Sequence, residues 1–170
     1  WIQPHASTVP ATGAWRPWDH PGHRRFMKMA MDRAFVLEGG GQLHDITICF
    51  ETWGQLNEAA DNAVLVCHAL TGDSHACGPA GEGHATPGWW DGLVGRGRPL
   101  DTEQYFVVCV NVLGGCQGSA GPASPRPDRP GVYGPEFPVV TIRDMVRTQA
   151  RVADALGIAR WHAVVGGSMG

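Results

Sequence analysis

Trp161-His162-Ala163-Val164-Val165-Gly166-Gly167-Ser168-Met169-Gly170 is the stretch on which the reading of this chain turns. An apolar run enters a five-residue segment of the form Gly-x-Ser-x-Gly. A short apolar run closed by glycines reads as a buried strand that ends in a tight turn. A serine held on such a strand-to-helix turn is pushed out of the sheet with its hydroxyl free to react. The glycines have a steric reason: a side chain at Gly166 or Gly170 collides with neighbouring backbone. Ser168 is therefore the expected nucleophile. An ordinary Gly-rich turn after a strand is the alternative, and the run Ala163-Val164-Val165 supplies the context that favours the nucleophile.

The elements upstream agree with a sheet that leads to this turn. Ala34–Glu38 and His44–Trp53 read as two strands about Gly39-Gly40-Gly41, a hairpin. No helix with Lys-Ser/Thr follows the glycines, so a phosphate loop is excluded there. Ala63–Cys67 and Tyr105–Val110 are continuously apolar, as central strands covered on both faces are. A Gly-rich region, 71–98, separates them and holds an expected short helix near Trp89-Trp90-Asp91. Residues 113–138 are dense in Gly and Pro and read as a long ordered loop. Thr141–Leu156 is the clearest helix. Its apolar residues Ile142, Met145, Val146, Val152, Ala153 and Leu156 are spaced for one face, Thr141-x-x-Asp144 forms a capping box, and Gly157 supplies the stop. Strand 161–165 is expected to lie parallel beside strand 105–110.

This order is that of the first half of an α/β-hydrolase sheet: α/β, mostly parallel, with an N-terminal antiparallel hairpin. Residues 1–33, rich in Pro, His and Arg, read as an N-terminal arm, and 34–170 as the N-terminal part of one such domain. Acyl transfer at a serine also needs backbone N–H donors aimed at the developing oxyanion. In this fold one comes from the residue after the nucleophile, here Met169. The other comes from the loop after an earlier central strand, here His68-Ala69-Leu70-Thr71-Gly72, with the Leu70 N–H as the candidate. A plain strand-end loop is the alternative.

The chain has 170 residues, 43% hydrophobic and 17% charged, enough for one globular domain with a core. A net charge of −3 gives no electrostatic footprint for nucleic acid or an anionic membrane, and no stretch has the apolar length to span a bilayer. The five cysteines, Cys49, Cys67, Cys77, Cys109 and Cys116, are odd in number and lack Cys-x-x-Cys, which favours free thiols in a reducing cytoplasm. His20, His23, His68 and His75 do not make a four-ligand zinc pattern, so no metal is expected and they read as polar loop histidines. The triad acid and histidine of this fold follow the serine, and only Met169 and Gly170 do so here. The chain is therefore expected to be an N-terminal fragment that is inactive by itself.

Longer blocks resemble the homoserine O-acetyltransferase family. They are Cys67–His75, Gly88–Gly95, Asn111–Ser119, Gly121–Pro125, Phe137–Met145 and the Gly166–Gly170 turn, so the likeness runs from about Phe35 to the end. The resemblance implies a ping-pong reaction of methionine biosynthesis. Ser168 takes the acetyl group of acetyl-CoA, a co-substrate rather than a bound cofactor, and passes it to L-homoserine. It also implies a homodimer. Succinyl transfer to homoserine or serine by relatives of the same family, and hydrolysis by a serine esterase, are the rival readings. Thr71–His75 and Gly114-Gly115-Cys116 resemble the homoserine-acetylating pattern.

Overall fold

A computed structural model describes residues 13–170. Its main sheet has five strands: β1 (Arg25–Met29), β4 (Ile46–Trp53), β5 (Ala63–Cys67), β6 (Phe106–Val110) and β7 (Trp161–Gly166). They lie in the order β1-β4-β6-β5-β7. β1 and β4 pair antiparallel, as do β4 and β6; β6–β5 and β5–β7 are parallel. The α/β reading stands. β2 (Phe35–Val36) and β3 (Gln42–Leu43) close a separate two-stranded hairpin about the three glycines. The hairpin partner of Phe35–Val36 is thus Gln42–Leu43, and Ile46–Trp53 belongs to the main sheet.

Three further expectations need correction. β7 is parallel, as expected, but lies beside β5 instead of Tyr105–Val110. β6 has no free edge: β4 takes one side and β5 the other, so the strand that follows α1 (Ile142–Leu156) cannot add there and pairs with β5 instead. Within the range read as an arm, Arg25–Met29 is a full sheet strand, paired residue for residue with Ile46–Phe50; residues 1–12 lie outside the described residues. Near Trp89-Trp90-Asp91 there are hydrogen-bonded turns, Asp91 to Gly88 and Leu93 to Trp90, and no helix.

That missing helix has a packing counterpart. Alternate residues of β5 and β6 point to opposite faces. Leu65, Val108 and Val110 join Ile46, Ile48, Phe50, Val152 and Ala153 in one core, so α1 and β4 share that side. Val66, Val107 and Cys109 join Ala76 and Val94 in another, covered by Trp89 and Trp90. Two indoles supply the apolar area that a helix would otherwise bring.

α1 starts and stops as read. Thr141 Oγ1 accepts from Asp144 N, Asp144 Oδ2 accepts from Thr141 N at 3.1 Å, and Gly157 ends the helix at φ +74°. Its buried stripe is different from the apolar one, however. Asp144, Thr148, Gln149, Val152 and Ala153 are buried, while Ile142 and Val146 are more than half exposed. Asp144 turns inward because it also accepts the Glu38 N–H at 3.0 Å, which ties α1 to the hairpin.

Candidate active site at the end of strand β7

β7 stops at Gly166, and the Gly170 N–H closes a turn on the Gly167 carbonyl at 3.2 Å. Ser168, at the head of that turn, is exposed and has φ +64°. For a residue with a Cβ this conformation costs about 1–2 kcal/mol, so the surrounding backbone must hold it there. The end of β5 does the holding. A Cβ on Gly166 would lie 2.5 Å from the Gly170 carbonyl carbon and 3.0 Å from the Cys67 oxygen, and one on Gly170 would overlap the Cys67 oxygen outright. The neighbouring backbone inferred from the glycines is therefore Cys67. Gly170→Ala is expected to cost about 1–3 kcal/mol, as overpacking does, and to displace Ser168. Denaturant unfolding together with the rate at the serine checks this, and native values for both would show that the close approach is dispensable.

The parallel register pairs Cys67 with Gly166, so the loops 68–72 and 167–170 leave the sheet at the same edge. Leu70 and Ser168 are thereby brought to one edge from positions 98 residues apart in sequence (168 − 70 = 98). Loop 68–72 is ordered by a turn, Gly72 N–H to the Ala69 carbonyl at 2.9 Å. Leu70 is 77% exposed and borders a cleft of about 880 Å³ shared with Thr71, Asp73, His75 and Arg24. Met169 is half-buried.

The histidines of this region are not the polar loop residues the sequence indicates. His68 and His75 are both buried. His68 places Nδ1 2.8 Å from the Ala69 carbonyl and accepts the Val112 N–H at Nε2 at 3.2 Å. His75 Nδ1 lies 2.9 Å from Glu51 Oε2, and the Ser74 hydroxyl donates to Glu51 Oε1 at 3.0 Å. His84 stacks on His75 at 3.6 Å between ring centres and accepts the His23 N–H at Nε2. Burial opposes charge on His75, but the hydrogen bond and charge of Glu51 outweigh it and raise its pKa. His84 is pushed down to about 4, chiefly by burial.

Among the described residues, Glu51, His75 and His84 form a group close enough to hold a metal ion. Part of its donor capacity is already engaged. Glu51 accepts at both oxygens, His84 Nε2 takes a backbone N–H, and stacked rings do not converge on a common centre. The trio is better described as a hydrogen-bond network than as a ligand set. Glu51 escaped sequence reasoning because it alternates with Ile46, Ile48 and Phe50 along β4, where the pattern places it facing solvent. The remaining signal is that β4 lies inside the sheet, with the face opposite its apolar residues covered as well.

All five cysteines are unpaired. Burial raises the Cys49 thiol to about 12 and the Cys109 thiol well above its usual value, so neither is poised as a thiolate. No helix among the described residues is long and apolar enough to cross a membrane.

Comparison with known proteins identifies the fold. A family model described as the alpha/beta hydrolase fold matches residues 62–170. A homoserine O-acetyltransferase of Thermobifida fusca (strain YX) is 56% identical over 163 residues, which is 95% of this chain and 42% of that protein. The crystal structure of esterase E22 matches with a TM-score of 0.78 and 37% identity, covering 86% of this chain and 41% of the other. Homoserine O-acetyltransferase from Bacillus anthracis matches with a TM-score of 0.76 and 35% identity, covering 86% and 40%. The chain thus spans about two-fifths of the length of these relatives.

Proposed function

The chain belongs to the α/β-hydrolase fold family, and from that premise we propose that it carries the nucleophile half of a homoserine O-acetyltransferase. One observation carries the proposal: Ser168, held at φ +64°, stands at the same sheet edge as the Leu70 loop. Ser168 Oγ attacks the thioester carbonyl of acetyl-CoA. The Leu70 and Met169 N–H groups stabilise the tetrahedral oxyanion, and coenzyme A leaves as the thiol after taking a proton. The L-homoserine hydroxyl then attacks the acetyl-serine through a second such intermediate, giving O-acetylhomoserine and free Ser168. Among the described residues no side chain hydrogen-bonds the Ser168 hydroxyl. The fold places the acid and histidine after the nucleophile in chain order, so we assign neither His68 nor His75 as the general base. Acetyl-CoA is a co-substrate, with no resident cofactor. The unpaired cysteines support a reducing cytoplasm, and the homodimer rests on family resemblance alone.

A second reading, ester hydrolysis, is favoured by the likeness to esterase E22. The two differ in what attacks the acyl-serine, homoserine or water. The full-length enzyme containing this chain should release coenzyme A from acetyl-CoA rapidly only when L-homoserine is present. Succinyl-CoA, or L-serine as acceptor, should be at least about tenfold slower, on the order of 1.4 kcal/mol in the barrier. Rapid hydrolysis of a small acetyl ester with no dependence on homoserine would favour the esterase.

A further inference from the structure

We propose that His68 is a positioning residue that sets the direction of the Leu70 N–H toward the oxyanion. This rests on the acyl-transfer reading of Ser168.

The argument begins with the tautomer. His68 is 2% exposed and sealed from water. Its Nε2 lies 3.2 Å from the Val112 nitrogen, which can only donate, so Nε2 carries no proton. The ring proton therefore sits on Nδ1, 2.8 Å from the Ala69 carbonyl oxygen, to which it donates. The same oxygen accepts the Gly72 N–H at 2.9 Å. Both lone pairs of the Ala69 carbonyl are engaged.

That carbonyl belongs to the peptide unit that carries the Leu70 N–H. A trans peptide is planar, and its C=O and N–H bonds point in opposite directions. Clamping the Ala69 oxygen inward against the ring therefore aims the Leu70 N–H away from it, out of the protein interior. Rotation of the unit would turn the N–H away and bring a carbonyl oxygen round in its place, which repels an oxyanion. The ring also braces two loops. Val112 follows β6 and Ala69 follows β5, so the imidazole spans the ends of adjacent parallel strands. Gly72 packs back on it: a Cβ there would lie 3.1 Å from His68 Cβ and 3.3 Å from the Ala69 oxygen. His68 touches no reacting atom and acts through the Leu70 peptide.

Two substitutions separate this role from general support. Asparagine places an amide nitrogen where Nδ1 stands and can still donate to the Ala69 oxygen. Glutamine reaches the Nε2 position and can accept from Val112, but leaves the Ala69 oxygen without its side-chain donor. In the full-length enzyme, rapid-quench acetylation of Ser168 by acetyl-CoA should be within about fivefold of native in His68→Asn. It should fall about 100-fold in His68→Gln, the scale of losing one oxyanion donor, with KM for acetyl-CoA unchanged. Equal losses in both variants, or native acetylation in His68→Gln, would overturn the proposal. The native enzyme gives a test that needs no variant. Imidazole ¹⁵N shifts should report His68 protonated at Nδ1 and bare at Nε2, and the opposite tautomer would overturn it. Failure of the native enzyme to acetylate Ser168 would instead refute the acyl-transfer reading on which the proposal stands.

Discussion

Ser168→Ala in the full-length enzyme is expected to lower acetyl transfer on the order of 10⁵-fold while leaving the fold intact. The substitution deletes one oxygen. It leaves the backbone demand at φ +64° unchanged, because alanine and serine meet the same Cβ clash in the left-handed region. Gly166 and Gly170 still pack on Cys67, so the turn keeps its shape. Only the covalent acceptor is lost. Removing the nucleophile of an acyl-enzyme mechanism leaves the residual rate that binding and the oxyanion donors sustain, far below native. Incubation of the native enzyme with acetyl-CoA, without homoserine, should leave an acetyl group on the peptide carrying Ser168, visible by peptide mass spectrometry. Near-native activity in the alanine variant, or an acetyl group on a cysteine, would refute the serine mechanism. The raised pKa values of Cys49 and Cys109 speak against those two as the acceptor.

The largest expected loss of stability is at Glu51. This carboxylate is 1% exposed and holds Ser74 and His75 directly, with His84 Nε2 3.8 Å from Oε1. Glu51→Ala strands the Ser74 hydroxyl and leaves a protonated His75 without its counter-charge, a change that costs about 3–5 kcal/mol when the pair is buried. The loss should depend on pH. His75 has its native pKa raised by Glu51, so its contribution is complete below the unfolded value of 6.5 and fades as pH rises through the raised value. The cost of Glu51→Ala should thus be greatest below pH 6.5 and shrink above the raised His75 value. His84 acts with the opposite sign. Its native pKa of about 4 lies below 6.5, so native stability falls as pH drops from 6.5 toward 4. At ~1.4 kcal/mol per pKa unit, that loss is on the order of 3 kcal/mol. Denaturant unfolding of both proteins from pH 4 to 8 gives these differences directly. A difference below about 1 kcal/mol, or one flat with pH, would show that the network does not carry the buried charge.

Features set by neighbours in the chain were legible in the residues. The turn Gly166–Gly170, the ends of α1, and the burial of Ala63–Cys67 and Phe106–Val110 all follow from local steric and apolar patterns. Strand adjacency did not follow, because two doubly buried runs read alike whichever neighbour they take, and in the fold β4 and β5 already occupy both sides of β6. The second face of the sheet was also misread at 89–91, where tertiary packing of Trp89 and Trp90 replaced an expected helix.

For the site, sequence by itself marked a serine on a glycine-flanked strand-to-helix turn, since a strained serine needs glycine on both sides and leaves that mark in the chain. Only the tertiary structure decided which groups surround it. Cys67 became the wall behind the elbow, Glu51 the buried partner of His75, and His68 the clamp on the Ala69 carbonyl. A hydrogen bond or a close approach between residues many positions apart leaves no periodicity to read. It exists only once parallel strands deliver their ends to the same edge of the sheet.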